Sequence, residues 1–228
     1  MDLTSINMNG ARWMTHVKAL LASTAQSGSG SPTLERIHFH TTISEVWMAA
    51  TNKTIATIAH TADSVEASVD DAFSIDTDAA RMTLTLVDYV ADEGSAGSVM
   101  VSLAAIGGNV TIHIHSDSRS ATLTTASHKG RAHNIAAGVL KEIRQQDRGS
   151  CLIGAELLKT ATAPLEGRLT VQHYMGGGLT ILSDDGDLFT VIVPIRYGGP
   201  SGPSTRGLKT WTKHLEQLTH EPPRKEDL

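Results

Sequence analysis

Two short histidine motifs are the residues of this sequence that could perform chemistry. His38-Phe39-His40 and His113-Ile114-His115 each place two imidazoles at positions i and i+2. Since alternate residues of a β-strand point to one face, each pair could ligate a transition metal ion. Further candidate ligands follow the second pair, namely Asp117, His128 and His133. A metal-dependent hydrolase would need these pairs to converge with a carboxylate, and a chain with 11 histidines also contains such pairs by chance.

Basic side chains form a second group with a chemical use, because lysine and arginine bind phosphate. Near the first predicted helix they are joined by a histidine, and the set is Arg12, His16 and Lys18. Near the third predicted helix they are Lys129, Arg131, Lys141, Arg144 and Arg148. The formal net charge is −5, so the chain is not a basic protein that simply coats DNA. Contact with phosphates would need a local basic face; the alternative is an ordinary solvated helix surface.

The composition is typical of a folded chain whose core is built from small aliphatic residues. Hydrophobic residues make up 40% of the 228 residues and aromatic residues 4%. A single cysteine, Cys151, excludes an intramolecular disulfide and fits a reducing compartment. The sequence has no apolar run of membrane-spanning length and no signal-peptide pattern at its start. We therefore expect a cytoplasmic protein with no membrane partner.

Hydrophobic periodicity predicts the elements that must position these residues. The predicted helices are Ala11–Ala25, a helix from a cap at Asp76–Asp78 to Ala91, Asn134–Gln146 and Ala155–Thr162. The predicted strands are Glu35–Thr41, Glu45–Ala50, Thr54–His60, Val65–Ile75, Ser98–Ile106, Asn109–His115, Ser120–Thr125, Arg168–Tyr174, Leu179–Leu182 and Leu188–Ile195. The pattern turns Arg12, His16 and Ser23 outward on the first helix and places Met82 inward on the second.

One helix followed by about three short strands occurs three times along the chain. The copies begin near Ala11, Asp78 and Gly154 and share little residue identity, so the repeat is structural. Residues 127–149 hold one predicted helix and no obvious strands, where a fourth copy would stand. After Tyr197 a Gly/Pro/Ser-rich linker leads to a short amphipathic helix, 207–220.

Three segments of the chain resemble the bacterial-type DNA polymerase sliding clamp. In Leu34–Thr61, Met48-Ala49-Ala50-Thr51-Asn52 leads into the alternating strand Thr54-Ile55-Ala56-Thr57-Ile58-Ala59. Phe73-Ser74-Ile75-Asp76, the following helix and Val99–Thr125 resemble the second unit of a clamp domain. Ile153–Tyr197 resembles a closing unit, because it ends on Val191-Ile192-Val193-Pro194-Ile195-Arg196-Tyr197. The likeness covers residues 8–197 and is that of a short viral or divergent form.

The resemblance implies an α+β fold made of DNA-clamp-like repeats of one helix plus antiparallel strands. Residues 1–126 would form a first clamp-like domain, 127–197 a second and reduced domain, and 198–228 a linker and tail helix. Sheets would lie outside and helices would line a ring made of several copies of the chain. A clamp is not an enzyme and needs no cofactor; it encircles double-stranded DNA without reading its sequence and tethers a DNA polymerase, with a clamp loader as a further partner.

By the same resemblance, both basic sets would line the ring and contact DNA: Arg12, His16, Lys18, Lys129, Arg131, Lys141, Arg144 and Arg148. Val193, Pro194 and Ile195 would lie near a pocket for partner peptides; the alternative is that they are core strand residues. The tail helix could be an internal peptide ligand, a hook for a partner or a cap on the ring joint. Two other classes stay open, namely the metal-dependent hydrolase and a structural assembly protein.

Overall fold

A computed structural model describes most of the chain. The described residues are 4–42, 44–62, 65–67, 71–91, 95–144, 151–152, 155–165, 167–173, 178–183, 186–193, 195–196 and 213–216. Four helices lie within them: α1 (Gly10–Ala22), α2 (Thr77–Val90), α3 (Ala132–Arg144) and α4 (Ala155–Thr162). Residues 213–216 are also helical and are called the tail segment. In the described part of the chain, no helix is long and apolar enough to cross a membrane.

Fifteen short strands make up the rest of the regular structure. They are β1 (Thr4–Asn9), β2 (Arg36–Thr41), β3 (Val46–Thr51), β4 (Ile55–Thr61), β5 (Val65–Ala67), β6 (Asp71–Asp76), β7 (Met100–Ile106), β8 (Asn109–His115), β9 (Ser120–Ala126), β10 (His128–Lys129), β11 (Cys151–Leu152), β12 (Leu169–His173), β13 (Leu179–Ser183), β14 (Leu188–Ile192) and β15 (Ile195–Arg196). The sequence pattern missed β1, although Ile6 and Met8 alternate with polar residues and are buried. It also merged β5 and β6, which belong to different sheets.

The strands form two antiparallel sheets and one short pair. The five-stranded sheet has the order β5-β1-β7-β8-β9, and the eight-stranded sheet has the order β10-β6-β2-β3-β4-β14-β13-β12. β11 pairs with β15. The eight-stranded sheet is continuous because β4 pairs with β14, from Leu188 opposite Ala59 to Ile192 opposite Ile55. Strands that lie far apart in the sequence therefore share one hydrogen-bonded surface, and the predicted α+β class with antiparallel sheets is confirmed.

The main core lies between the two sheets and is closed by α1 and α2. Trp13, Val17 and Leu20 of α1 are fully buried there, as the helical spacing predicts. The Trp13 indole donates a hydrogen bond from Nε1 to Thr83 Oγ1 of α2 at 2.9 Å. Phe39 stacks on Trp13 with its ring centroid at 6.3 Å. Trp13 therefore joins α1 to α2 through its hydrogen bond and to β2 of the eight-stranded sheet through its stacking on Phe39.

The opposite side of the eight-stranded sheet is also covered. Side chains alternate along β3, so that Met48 enters the main core while Trp47 points to the other side. There α3 packs through Ala136, Val139, Leu140 and Ile143 against Trp47, Ile58 and Phe189. We call the two sides of this sheet the α1 face and the α3 face.

α4 lies on the α1 face, where it contacts α1 and β14. Its Ala161 is buried with Ile55 of β4 and Ile192 of β14. Those strand residues share the face of Thr57, whose hydroxyl bonds Ser23 at the end of α1. α1, α2 and α4 therefore belong to one side of the molecule, and α3 to the other.

α2 buries only part of the face that periodicity predicts, since Val87 and Val90 are buried as expected. Met82, expected inward, has 49% of its surface exposed, whereas Ala80 and Thr83 are buried. The physical reason is that apolar periodicity does not register a threonine that is buried through its hydrogen bonds. Thr83 is instead buried with its hydroxyl satisfied by the Ala80 carbonyl and by the Trp13 indole.

Candidate nucleic-acid interface and partner groove

The exposed side of α1 presents two cations, and their environments differ. Arg12 is held by the structure: its Nε lies 3.3 Å from Asp187 Oδ2, and its Nη1 donates to Thr61 Oγ1 at 3.3 Å. Lys18 is exposed, and no ion pair of its ammonium group occurs within the described ranges. The first cation is partly neutralised by its partner, whereas the second is available to an external anion.

His16 does not lie on the exposed side of α1, contrary to the expectation from periodicity. It is 1% exposed, and Ser23, expected beside it, is fully buried. Ser23 Oγ lies 2.6 Å from Thr57 Oγ1, which in turn lies 2.9 Å from Thr190 Oγ1 of β14. The end of α1 therefore directs a polar side chain into the sheet, where the three hydroxyl groups form hydrogen bonds with one another.

Of the second basic set, Arg131 and Lys141 lie with α3 on the other side of the eight-stranded sheet, whereas Lys129 pairs with Phe73 and so shares the α1 face. Lys129, Arg131 and Lys141 are exposed. Arg144 ends α3 with its side chain outside the description, and Arg148 lies outside the described residues. Because α1 and α3 cover opposite faces of one sheet, Arg131 and Lys141 lie on the side of the sheet away from Lys18. That both basic sets contact DNA stays a prediction.

His38 connects α3 to the sheet and has both ring nitrogens engaged. Its Nε2 lies 2.8 Å from the Thr33 carbonyl oxygen, and its Nδ1 lies 3.2 Å from the backbone nitrogen of Arg131. Since a carbonyl oxygen only accepts and an N–H only donates, His38 is the neutral tautomer protonated on Nε2. Burial lowers the pKa of His38, the Thr33 carbonyl opposes this, and the Arg36 and Arg131 cations lower the pKa further. His38 is therefore a structural connection.

The two histidine motifs do not come together. His38 and His40 lie on β2 of the eight-stranded sheet, whereas His113 and His115 lie on β8 of the five-stranded sheet. The rings of His113 and His115 have centroids 5.3 Å apart, and His113 Nδ1 bonds Thr122 Oγ1. Among the residues that the structure describes, no three His, Cys, Asp or Glu side chains are placed to share a metal ion. Within the described ranges, the hydrolase alternative therefore has no assembled metal site.

A cavity of about 360 Å³ opens on the α3 face between α3, the β3–β4 turn and the end of β14. Apolar side chains form most of its wall, and they are Leu34, Ala56, Ile135, Val139, Val191 and Val193. Lys53 and Arg131 also line it and supply positive charge. An apolar groove with two cations fits a segment that combines aliphatic and acidic groups.

Only part of the predicted partner-binding motif is described. Val193 is half-buried and lines this cavity. Ile195 is described through its backbone, which pairs with Leu152 in the β11–β15 pair, and Pro194 lies outside the described residues. The structure therefore places the start of the motif at a cavity and leaves its contact with a partner as a hypothesis.

Sequence reasoning missed Lys53 as a site residue. Lys53 has a φ of 76°, in the left-handed region that residues other than glycine rarely adopt. The turn is fixed by Asn52, whose Oδ1 accepts hydrogen bonds from the backbone N–H groups of Thr54 and Ile55. The available signal was the Asn-Lys pair between two alternating strands, which indicates a tight hairpin. That hairpin brings Lys53 to the cavity.

This arrangement defines the class of the protein: an α+β fold with the layout of a DNA clamp, in which helix-and-strand units share continuous antiparallel sheets. The structure matches that of DNA polymerase III subunit beta from Borrelia burgdorferi with a TM-score of 0.62 at 12% identity, covering 85% of this chain and 64% of that one. It also matches the DNA polymerase sliding clamp from Bacillus subtilis with a TM-score of 0.60 at 10% identity, covering 85% and 64%. The beta subunit from Thermotoga maritima gives 0.56 at 11% identity, covering 87% and 66%.

The chain thus has the fold of bacterial DNA polymerase III beta sliding clamps, as the sequence resemblance implied. It spans just under two thirds of the length of these clamps. No protein-family model matches the sequence, and no curated protein is detectably similar to it. At this identity the likeness shows the fold, and the function has to be argued from the surfaces.

Proposed function

We propose that this protein is a sliding-clamp-like processivity factor that binds rather than catalyses. Several copies would close into a ring around double-stranded DNA in the cytoplasm and tether a DNA polymerase to it, with a clamp loader opening the ring. The observation that carries the proposal is the gathering of α1, α2 and α4 on the α1 face of the eight-stranded sheet. This layout gives a ring of such chains a helical lining and a sheet wall.

The sheets end in strands that can join one copy to the next. β9 pairs only with β8, and β12 pairs only with β13, in the described part of the chain. Val171 of β12 is 50% exposed, which is unusual for a large aliphatic side chain on an edge strand. Antiparallel pairing of β9 in one copy with β12 in another would satisfy both edges and extend the sheets around a ring.

The α1 face would contact DNA through few positive charges. Lys18 is available, Arg12 is shared with Asp187, and on α2 Asp78 is paired with Arg81 while Asp88 is exposed. A weak field suits a protein that must hold phosphates without fixing its position, because each contact releases counterions but reads no base. We assign Arg131 and Lys141 to the outer surface, where they would meet a partner.

The cavity on the α3 face would receive the partner. A short polymerase or loader segment would place aliphatic side chains against Val191 and Val193, and an acidic group near Lys53 and Arg131. Pro194 and Ile195 would extend this contact along the chain. Lys53 and Arg131 would favour acidic segments over basic ones by charge complementarity.

The experiment that tests the proposal measures mass in solution and retention on DNA. The native mass should be that of a closed oligomer, and the loaded protein should stay on circular DNA but leave linear DNA of the same sequence. Affinity should fall with salt, with a slope of about one or less for each phosphate contact. An oligomer indifferent to DNA topology, with a loader supplied, would instead favour a structural assembly protein built on the same edge strands. A monomer would contradict both.

A further inference from the structure

The tail segment is seated on the α3 face. Leu215 is 0% exposed and belongs to the apolar cluster of Trp47, Ile58 and Phe189. Residues 197–212 lie between the segment and β15 in the sequence. Within the described residues, Leu215 therefore anchors the tail segment on a surface that the sheet and α3 build.

Two imidazoles and a carboxylate surround the indole under this segment. The His60 ring stacks on Trp47 with centroids 4.0 Å apart. The His214 ring of the tail segment lies 5.5 Å from His60 and 6.0 Å from Trp47. On the other side, Glu45 Oε2 lies 3.6 Å from His60 Nε2, which is longer than a hydrogen bond. His60 thus lies at the contact between the sheet and the tail segment.

We propose that the tail segment is a pH-sensitive latch, which covers Trp47 at neutral pH and leaves the α3 face when His60 is protonated.

The charges around His60 set the direction of the switch. Burial lowers the pKa of His60, the Glu45 carboxylate raises it, and His214 lowers it again, with a net lowering. A further imidazole on this face is His40 of β2, which pairs with Trp47 across the sheet and is 7% exposed, and α3 packs beside it through Ala136, Val139, Leu140 and Ile143. Since release of the segment hydrates His60, the released state binds the proton more tightly than the docked state. Docking is therefore fully stable above the ordinary histidine pKa of about 6.5 and is lost progressively below it.

A second charge effect acts in the same direction. The His214 ring lies 5.5 Å from the His60 ring, and a positive charge on His214 opposes a positive charge on His60. Protonation of His60 therefore weakens the attachment of the segment. Release would uncover Trp47, Ile58 and Phe189 beside the cavity for another apolar segment. The latch does not depend on DNA binding, so it can be tested whether or not the protein is a clamp.

The test uses the full chain labelled with 5-fluorotryptophan. The three tryptophans give three fluorine resonances, assigned with Trp13→Phe, Trp47→Phe and Trp211→Phe. Leu215→Glu supplies the released reference, and Leu215→Ala replaces it if the charged variant does not fold. Lys213→Ala, at an exposed position of the same segment, is the matched control. The shift of each resonance between H2O and D2O reports water contact at the ring, which separates release from a local titration of His60.

We expect the Trp47 resonance to move to the released position, with full water contact, between pH 7 and pH 5 in the natural chain and in Lys213→Ala. His60→Gln should keep the docked position at every pH, and Leu215→Glu should show the released position at every pH. The latch is wrong if Trp47 gains no water contact at pH 5, or if His60→Gln shows the same pH response as the natural chain.

Discussion

The two faces of the eight-stranded sheet are built in different ways. On the α1 face, one core joins both sheets to α1 and α2, and polar contacts such as Trp13 to Thr83 tie the helices in place. On the α3 face, a smaller cluster relies on apolar packing and leaves a cavity of about 360 Å³ beside α3. The difference indicates that the α1 face supplies the stability of the fold, whereas the α3 face retains room for another segment.

The largest expected effect is the loss of the α1-face core. Trp13→Ala removes a fully buried indole and its hydrogen bond, and we expect the free energy of unfolding to fall by about 4 kcal/mol. Leu140→Ala on the α3 face should cost less, about 2 kcal/mol, because α3 can relax toward the adjacent cavity. Urea unfolding of both variants measures the difference. An equal or larger loss at Leu140 would break the contrast between the faces.

A smaller loss should follow from breaking the hydroxyl chain that fixes the end of α1. Thr57→Val leaves the buried hydroxyls of Ser23 and Thr190 without their common partner. The expected cost is about 1–3 kcal/mol of unfolding free energy. Thr170→Val, on the exposed side of β12, is the control and should change stability little. If both variants unfold at the same urea concentration, the hydroxyl chain does not stabilise the α1 face.

Charge reversal should separate the two faces in DNA binding. Lys18→Glu should lower affinity for double-stranded DNA and reduce the salt slope by about one, because Lys18 lies on the side assigned to phosphates. Lys141→Glu, an equal change on the α3 face, should leave the slope unchanged. Fluorescence anisotropy at several salt concentrations provides both values. A larger effect at Lys141 would reverse the proposed orientation of the chain on DNA.

The smallest expected effect concerns pH and the attachment of α3. Because burial lowers the pKa of His38 in the folded chain, the unfolded chain binds the proton more tightly. The contribution of His38 to stability is therefore present above about pH 6.5 and decreases as the pH falls. His38→Gln can keep both hydrogen bonds and cannot be protonated, so its unfolding free energy should change less between pH 7 and pH 5. A steeper pH dependence in this variant would contradict the assignment.

Local pattern predicted much of the secondary structure. β8 and α4 have the predicted bounds, and the apolar positions of α3 from Ala136 to Ile143 are buried as expected. Periodicity reports which side of a helix is apolar, but it does not report which side of a sheet that helix covers. For this reason the sequence could not place α3 opposite α1, and it grouped cations that the fold separates.

The candidate site was predictable only in part, for a similar reason. Exposure of Lys18 follows from helical spacing, whereas burial of His16 depends on how closely α1 approaches the sheet. The cavity around Val193 is formed by a hairpin, a helix and a strand end that are distant in the sequence. Lys53 reaches the cavity because its own backbone is left-handed in the β3–β4 turn. Such sites depend on long-range packing, which single-residue propensities do not contain.

The unbroken pairing of β4 with β14 has a mechanical consequence. Five residue pairs run across this seam, and the Thr57–Thr190 hydroxyl contact lies directly over it. Bending the chain here would break several backbone hydrogen bonds together, so each copy should behave as a stiff arc. If copies of this chain close around DNA, the gap through which the DNA enters must open at a joint between two copies. The stability of that joint, set by the pairing of β9 with β12, would then determine how long the assembly stays closed.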